Sequence, residues 1–498
     1  MGADIGRSLS SVEMAVAEAN ALALGVSTDT LMEHAGRAVA DEVVRALGAP
    51  HARVAIVVGP GNNGGDGTCA AHYLAEWGYA PEIWMVRAPA QIRSSAARRC
   101  FDRVARRIPI HVGVPRAEEL TPFPIAVDAL LGTGQSGPLR SPYREAVAAL
   151  RESGVPVLSV DVPTGAGDPE GLRPTRTVAL GAQKTEFLNA PSGELTVRDI
   201  GIPPAAWRET GPGDFLFLRA AHGAEARGRT GRIIVIGGGP YAGAPALAGM
   251  AALRSGAERA TILAPGGVSD RIQSFSPNLI VRGFGRDRFA PPDVGPMLRF
   301  LEQAPPRAIV MGMGAGTESE TTEALRNLTR AIVGKYPVVV DADALSVLPD
   351  LVRGRPPGLP VLATPNGGEF VRVFRGPKDG NSADRETAAR AASRDLGITL
   401  VVKGDPDLIV QGDEVFENRH HALSMTVGGA GDVLAGVLGS LLAQGLGATA
   451  AARLGTYWVG EAGLRVAATR GDGLLASDLI EELPSALVAG LGRVRHPE

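Results

Sequence analysis

The sequence of 498 residues contains very few cysteines. Cys69 and Cys100 are the only two, which is too few for a disulfide framework, and their spacing is not that of a metal site. This scarcity excludes the class of small secreted proteins that disulfides stabilise. We therefore expect a protein of the reducing cytoplasm.

Long apolar runs and segments of a single charge are also lacking. No stretch of about 18 apolar residues occurs, and the N-terminal residues do not combine a basic segment with an apolar run. The hydrophobic content of 45% and the net charge of −3 are typical of an ordinary globular protein and provide no basic surface for nucleic acid. We expect no membrane span and no nucleic-acid partner.

Lysine is scarce as well. Only four of the 50 basic residues are lysines, namely Lys184, Lys335, Lys378 and Lys403. Arginine is used wherever a generic cation is enough, so each lysine carries some information about its site. The compact ammonium group fits beside a phosphate, where the planar guanidinium group needs more room.

The length of the chain exceeds the size at which one hydrophobic core stops growing, so we predict two domains. A stretch without periodicity, residues 213–225, is interpreted as a linker between residues 1–212 and residues 226–498. Sixty-five glycines and an aromatic content of 4% suit an α/β fold, in which glycine-rich turns approach ligands.

Strand and helix patterns alternate in the N-terminal half. Residues 14–46 have helical spacing of apolar residues, and a strand at 54–58 is followed by a loop and a helix that begins near Thr68. Further strands are predicted at 83–86, 125–127 and 155–160. This order predicts a Rossmann-like, three-layer αβα domain with a doubly wound parallel sheet.

The C-terminal half repeats the alternation. Its clearest helices are predicted at 244–255 and 432–442. Its strands are predicted at 232–236, 260–263, 308–311, 338–340, 361–363 and 400–402. A second αβα domain follows from this pattern.

A glycine-rich segment, Gly59 to Gly67, follows the first strand of the N-terminal half and leads into a helix. Backbone N–H groups in that position can hold a phosphate. The pattern G-x-G-x-x-G alone is weak, and a flexible series of turns is the alternative. All nine residues together favour a ligand site.

Two further loops, Asp128 to Gly134 and Asp161 to Gly165, follow strands of the same half. Ligands bind at such strand ends in open α/β sheets, so these loops should reach one crevice. The oxygen atoms of Asn63, Asp128 and Thr164 form a set suited to an alkali or alkaline-earth cation. The alternative is that each aspartate only caps its loop.

The segment Gly428-Gly429-Ala430-Gly431-Asp432 opens a helix in the C-terminal half. Its bare N–H groups can stabilise a transferring phosphoryl group, and Asp432 can accept the proton of an attacking hydroxyl. An aspartate at a helix start also stabilises the helix, but that role does not require the glycines. We favour phosphoryl transfer.

Other motifs of the C-terminal half also follow strands. Lys403 and Gly404 follow the strand at 400–402, and Lys403 should contact a phosphate or adenylate group, although a solvated turn lysine is the alternative. Glycines at 312–316 would allow close backbone approach to the same cleft. For Asp341, Asp343 and Glu369, a structural role and a role beside water or magnesium are equally supported by the sequence.

The N-terminal motifs, with Leu31 to Gly36, Lys184 and Asp199 to Pro203, resemble the NAD(P)H-hydrate epimerase domain over nearly all of residues 10–205. The resemblance implies a potassium ion at Asn63, Asp128 and Thr164 and a proton-carrying role for Asp161. It implies hydrate contacts at Asn62, Asn63, Gly64, Gly65, Asp66, Gly132, Thr133, Gly134, Gln135, Ser136, Gly137, Pro138 and Asp161.

The C-terminal motifs resemble the ribokinase-like NAD(P)H-hydrate dehydratase domain across residues 226–490. Asn366, Asp407 and Ala430 depart from the usual histidine and threonines of that family. The resemblance implies catalysis by Asp432 and hydrate contacts at Ala244, Gly316, Asn366 and Asp432. It implies nucleotide contacts at Lys403, Gly404, Asp405, Pro406, Asp407 and Gly431.

Both domains in one chain resemble the bifunctional NAD(P)H-hydrate repair family. The resemblance implies that hydrates of NADH and NADPH (NADHX and NADPHX) are epimerised and then dehydrated with Mg²⁺ and ADP or ATP. The sequence does not decide whether the nucleotide is ADP or ATP. We also expect a homo-oligomer. A ribokinase-like kinase for a small alcohol and a non-catalytic dinucleotide-binding protein are the alternative hypotheses.

Overall fold

A computed structural model describes residues 8–48, 51–135, 137–222, 231–354, 358–378 and 381–495. The chain forms two compact units, with the boundary between Trp207 and Arg208. Within the described ranges, no helix is both long enough and apolar enough to span a bilayer.

The first unit combines a parallel sheet with helices on both faces. Its helices are α1 (Ser11–Ala23), α2 (Thr28–Leu47), α3 (Asn62–Glu76), α4 (Ser95–Val104), α5 (Ala117–Leu120), α6 (Tyr143–Glu152) and α7 (Pro204–Arg208), the last of which crosses the boundary. Its strands are β1 (Ser8–Leu9), β2 (Arg53–Val58), β3 (Ala80–Met85), β4 (Ile110–Val112), β5 (Ala126–Ala129), β6 (Val157–Val160), β7 (Arg176–Leu180), β8 (Gln183–Lys184) and β9 (Glu194–Arg198).

The main sheet of this unit has seven strands in the order β4-β3-β2-β5-β6-β7-β9, all parallel. The chain leaves β2 toward one edge and returns at β5 toward the other, so the strand order reverses between β2 and β5. The predicted doubly wound sheet is confirmed. Ligand crevices form at such a reversal, beyond the carboxyl ends of the strands.

The helices of the first unit differ from the sequence prediction at two places. The single helix predicted at 14–46 is two helices, because Gly25 adopts a positive φ of 90° and the Ser27 side chain caps the start of α2. Helix α3 begins at Asn62, six residues before the predicted start near Thr68. Most of the predicted glycine-rich loop is therefore the first turns of a helix.

The second unit has the same layered design with a larger sheet. Its helices are α8 (Phe215–His222), α9 (Gly243–Arg254), α10 (Gly266–Ser274), α11 (Pro291–Gln303), α12 (Ser319–Ile332), α13 (Pro349–Val352), α14 (Gly367–Phe374), α15 (Ser382–Leu396), α16 (Ala430–Ala443), α17 (Ala448–Arg470) and α18 (Ala476–Arg495). Its strands are β10 (Arg232–Ile236), β11 (Arg259–Pro265), β12 (Ile280–Phe284), β13 (Ala308–Met311), β14 (Val338–Val340), β15 (Val361–Ala363), β16 (Thr399–Val402), β17 (Asp407–Gln411) and β18 (Glu414–Asn418).

The nine strands of the second sheet lie in the order β12-β11-β10-β13-β14-β15-β16-β17-β18. The pairs from β12 to β16 are parallel, and β17 and β18 complete the edge as an antiparallel hairpin. The predicted strands at 308–311, 338–340 and 361–363 have the predicted bounds. Strands β12, β17 and β18 were not predicted.

The segment 213–225, which we expected to be a linker, is helical where the structure describes it. Pro212–Asp214 forms a 3₁₀ turn and α8 follows immediately. Phe215 is fully buried and contacts Tyr457 and Trp458 of α17. Burial of this ring attaches the segment to the second unit, and residues 223–225 lie outside the described ranges.

Candidate active sites

The first turn of α3 is held against the end of β2. A side chain at Gly64 would place its first carbon 1.9 Å from the Gly59 carbonyl oxygen, and one at Gly65 would contact Met32 and Ala97 at 2.8 Å. Glycine at these positions therefore lets the helix approach its neighbours closely. The sequence predicted hydrate contacts for Gly64 and Gly65, and the structure gives both a packing role.

A cavity of about 570 Å³ opens at the reversal point of the first sheet. It brings together most of the epimerase-site residues that the sequence predicted. Those that line it are Asn62, Asn63, Asp66, Gly132, Thr133, Gly134, Gln135 and Asp161.

Four other predicted residues do not line this cavity. Gly64 and Gly65 lie in the packed first turn of α3, and Gly137 and Pro138 are exposed beyond the lining. Ser136 lies outside the described residues.

The half-buried Asp161 and the buried Lys184 form an ion pair in the cavity wall. Asp161 follows β6 with a positive φ of 67°, and its carboxylate accepts hydrogen bonds from the Lys184 ammonium and from the Leu180 N–H at 3.1 Å. Lys184 is only 2% exposed and also donates to the Leu180 carbonyl at 2.8 Å. Strain of this kind concentrates at functional sites.

Two further carboxyl groups face the same wall. Burial raises the pKa of Glu18 to about 7, although the attraction of Lys184 lowers it and the charge of Asp161 raises it further. Burial also raises the pKa of Asp66 well above its ordinary value, and the charges of Asp161 and Glu18 add to that increase. Glu18 can therefore hold a proton near neutral pH.

Glu18 was missed as a site residue in the sequence. A signal for it exists, because Met14, Ala17, Glu18 and Ala21 share one face of α1, and the other three are buried. A carboxyl group on an apolar helical face is costly unless it meets a polar site. Lys184 was noted as one of the rare lysines and as part of a family motif.

A second polar group lies at the base of this crevice. The carboxylate of Asp128 is fully buried and accepts four hydrogen bonds: two from Thr164, one from Ser159 and one from the Leu130 N–H. Asn63 is also buried, and neither its amide oxygen nor its amide nitrogen has a hydrogen-bond partner. An unpartnered buried amide requires a ligand, a water or an ion.

In the second unit, α16 begins where the sequence predicted a phosphoryl-transfer loop. Gly429 precedes the helix with a positive φ of 95°, and no side chain caps the helix start. The Ala430 N–H donates to the Val427 carbonyl at 3.3 Å, and the next two N–H groups, those of Gly431 and Asp432, are available to an anion. Asp432 is the third residue of the helix.

Lys403 follows β16 and reaches the same helix start. Its ammonium donates to the Asp341 carboxylate at 3.0 Å, and the Thr364 hydroxyl donates to the same oxygen at 2.7 Å. A side chain at Gly431 would place its first carbon 3.1 Å from the Lys403 ammonium. Glycine at that position leaves room for the lysine.

Asp432 lies within this group of charges. Burial raises its pKa to about 7, the charges of Asp341 and Asp343 add to that increase, and Lys403 opposes it. Asp343 in turn accepts a hydrogen bond from the Gly316 N–H at 2.8 Å. Asp432 thus titrates in the range where a general base works best.

A cavity of about 680 Å³ lies beside this cluster. The predicted residues that line it are Asn366, Lys403, Gly404, Asp405, Asp407 and Gly431. The predicted residues Ala244, Gly316, Pro406 and Asp432 are not in its lining. The charges of Lys403 and Asp343 nevertheless act on Asp432. Lys403 lines the cavity, and Asp343 accepts a hydrogen bond from the Gly316 N–H, so Asp432 interacts with groups at both places.

Three residues of this region have structural hydrogen bonds that the sequence did not reveal. Asn366 caps α14, because its side chain accepts from the Glu369 N–H at 2.9 Å and the Glu369 carboxylate accepts from the Asn366 N–H at 2.8 Å. Asp407 accepts from the Gly404 N–H at 2.9 Å and from the Asn418 amide at 3.0 Å. These bonds fix the cavity wall.

Two family models match the chain. The model described as NAD(P)H-hydrate dehydratase matches residues 233–485, and the one described as YjeF-related protein N-terminus matches residues 28–186. A crystal structure of the ADP/ATP-dependent NAD(P)H-hydrate dehydratase of Bacillus subtilis is 24% identical, with a TM-score of 0.46, over 53% of this chain and 93% of that chain.

Full-length relatives carry both regions. The bifunctional NAD(P)H-hydrate repair enzyme of Hyperthermus butylicus is 36% identical over 97% of this chain and 93% of its own length. The enzyme of the same name from Methanothermobacter thermautotrophicus is 36% identical over 96% of this chain and 95% of its own length. With this identity over nearly the whole length, the chain belongs to the family of bifunctional NAD(P)H-hydrate repair enzymes.

Proposed function

We propose that this chain repairs hydrated NADH and NADPH in two successive reactions. The first unit interconverts the R and S hydrates. The second unit dehydrates the S hydrate with ADP or ATP and releases phosphate together with AMP or ADP. The observation that carries the proposal is the Asp432 carboxyl, with a pKa of about 7, beside Lys403 at an uncapped glycine-bounded helix start.

In the first unit, epimerisation requires the C–O bond of the hydrate to open and to form again on the other face of the ring. The electron pair of the ring nitrogen assists the departure of the hydroxyl, which leaves as water once it is protonated. Asp161 is the proton carrier in this proposal, since it lines the cavity and Lys184 fixes its carboxylate.

A potassium ion fits the base of the same crevice. The amide oxygen of Asn63 is buried without a partner. Burial raises the pKa of the Asp128 carboxyl, and its hydrogen bonds from Thr164, Ser159 and Leu130 oppose that increase. Asn63, Asp128, Thr164 and nearby carbonyl groups would hold the ion, which supplies positive charge next to the substrate loops. Asn63 also lies against Gly132 of the predicted hydrate-binding loop, which supports contact between the potassium site and that loop.

In the second unit, the hydrate hydroxyl attacks the terminal phosphoryl group of the nucleotide. Asp432 takes the hydroxyl proton, and the first N–H groups of α16 stabilise the charge on the transferring group. The electron pair of the ring nitrogen then expels the new phosphate ester as inorganic phosphate, and loss of a proton from the adjacent ring carbon restores the reduced nicotinamide. Protons and a phosphoryl group move, and no hydride is transferred.

The nucleotide occupies the cavity beside β16. Lys403, Gly404, Asp405, Asp407 and Gly431 line that cavity, and Lys403 supplies the compact positive charge that a phosphate requires. Pro406 belongs to the same turn. Magnesium would enter with the nucleotide, and the Glu369 carboxylate, whose charge contributes to raising the pKa of Lys403, would orient the ion or its water.

Incubation of the purified protein with mixed hydrates and either ADP or ATP tests the proposal. We expect both epimers to disappear, the absorbance of the reduced nicotinamide to return, and one phosphate to form for each molecule repaired. A stable phosphorylated product would instead support a small-molecule kinase. Binding of the hydrates without phosphate release would support a non-catalytic dinucleotide-binding protein.

A further inference from the structure

The cavity of the first unit contains a carboxyl group that the proposed function leaves without a role. Glu18 lines the cavity together with Asp66, Asp161 and Lys184. It comes from α1, whereas Asp161 comes from the loop after β6. The two carboxyl groups therefore approach one cavity from different elements.

The position of Glu18 is not explained by the packing of α1. Met14, Ala17 and Ala21 fill the same helical face with apolar atoms, and an apolar residue would fill the fourth position without a desolvation cost. Among the described residues, no donor forms a hydrogen bond with the Glu18 carboxyl. The nearby Lys184 ammonium is already bonded to Asp161 and to the Leu180 carbonyl.

Epimerisation needs proton transfer on both faces of the ring. The hydroxyl leaves from one face with a proton from an acid, and water adds to the other face while a base removes a proton from it. A single carboxyl group reaches only one face of the ring readily. Two carboxyl groups from separate elements can serve both faces, as the reaction requires. This argument rests on the proposed epimerase function.

We propose that Glu18 is the second proton-carrying catalytic residue of this site and works with Asp161 on the hydrate hydroxyl. In one direction, Glu18 protonates the hydroxyl, the C–O bond breaks, and the electron pair of the ring nitrogen forms the C=N bond. Water then adds to the opposite face as Asp161 accepts its proton. In the reverse direction, Asp161 donates and Glu18 accepts.

The charged groups that face Glu18 are Lys184, Asp161 and Asp66. The reactive state of the enzyme holds one proton on the Glu18–Asp161 pair. Because the pKa of Glu18 is raised to about 7, the epimerisation rate should fall as the pH rises through about 7.

The test measures epimerisation of a single purified hydrate epimer by the full-length protein between pH 5 and pH 9, with the rate in the absence of protein subtracted. For Glu18→Gln we expect kcat to fall about a hundredfold, KM to change little, and the decline above pH 7 to disappear. Glu18→Asp should recover part of the rate and retain that decline. Nucleotide-dependent dehydration of the S hydrate should be unchanged in both variants.

Glu13→Gln is the matched control, because Glu13 belongs to the same helix and caps its start outside the cavity. Equal losses in the Glu13 and Glu18 variants would mean that the helix, and not the carboxyl group, is responsible, and would overturn the proposal. An unchanged rate or an unchanged pH profile in Glu18→Gln would also overturn it. Absence of epimerisation in the wild-type protein would instead refute the proposed function.

Discussion

At the scale of single residues, both units place one of the chain's rare lysines against a carboxylate at a strand end. Lys184 bonds to Asp161 and Lys403 bonds to Asp341, whereas Lys335 and Lys378 are exposed. The scarcity of lysine in the sequence was therefore informative for two of its four positions. A compact ammonium group suits both sites, because backbone and carboxylate atoms surround it closely.

Replacement of Lys403 by arginine tests whether size matters at this position. The larger guanidinium group must displace either Gly431 or Asp341, so we expect Lys403→Arg to slow dehydration about a hundredfold although the charge is retained. Lys378→Arg is the control on an exposed lysine and should have no effect. Steady-state rates of NAD(P)H recovery provide the test. Equal rates in Lys403→Arg and Lys378→Arg would contradict the claim that the site at position 403 has room only for an ammonium group.

The pH dependence of dehydration should report Asp432. Its pKa is raised to about 7, and the ionised form is the base, so the rate should fall as the pH drops below about 7. Asp343→Asn removes one of the charges that raise this pKa, while the asparagine oxygen can still accept from the Gly316 N–H. We expect the acidic limb of the pH profile to move to lower pH.

Asp270→Asn, at an exposed aspartate of α10, provides the matched control and should leave the limb in place. A limb that stays near pH 7 in Asp343→Asn would show that another group controls the reaction. A shift to higher pH would contradict the electrostatic explanation directly.

At the scale of elements, helix starts carry both proposed sites. Helix α3 brings Asn63 and Asp66 to the first cavity, and α16 brings free N–H groups and Asp432 to the second. Each start follows a glycine that no ordinary side chain could replace, Gly59 in the first unit and Gly429 in the second. Close backbone approach and an uncapped helix end are the shared physical features.

Alanine at Gly429 should damage the second site. The positive φ of 95° is strained for alanine, and its methyl carbon would lie 2.6 Å from a Leu247 methyl group. We expect a loss of about 1–3 kcal/mol of unfolding free energy together with a loss of dehydration. Gly428→Ala meets no atom within 4 Å and should remain stable. Thermal and urea unfolding of both variants provide the comparison.

The sequence was sufficient for most of the central strands of each sheet, since buried strands read as short apolar runs, but it missed edge strands such as β4, β9, β12 and β18. It was insufficient where tertiary contacts decide. The start of α3 at Asn62 depends on contact of Gly64 with Gly59, and a glycine-rich segment otherwise favours a loop. The role of Glu18 depends on which face of α1 meets the cavity.

Packing and capping contacts also account for several residues for which the sequence predicts ligand contacts. Gly64 and Gly65 match a family motif, but their packing against Gly59, Met32 and Ala97 accounts for glycine at both. Asn366 stands where the family often has histidine, and its cap on α14 accounts for asparagine. The contacts of Gly65 with Met32 and Ala97 join distant segments and leave no mark in a single sequence.

At the scale of the whole molecule, each unit has its own sheet, its own hydrophobic cores and its own cavity. The residues that line the first cavity lie between Ser11 and Ile200, and those of the second lie between Asn366 and Gly460. The two reactions therefore need no shared side chain. Inactivation of one site should leave the other working.

The most direct test of this two-site account is the time course of R-hydrate consumption by two variants, assayed separately and mixed. With ADP or ATP present, Asp161→Asn should dehydrate only the S hydrate, and Asp432→Asn should interconvert the epimers without releasing phosphate. A mixture of the two proteins should consume the R hydrate completely. Complete consumption by either variant alone, or failure of the mixture while each partial activity is present, would contradict the account.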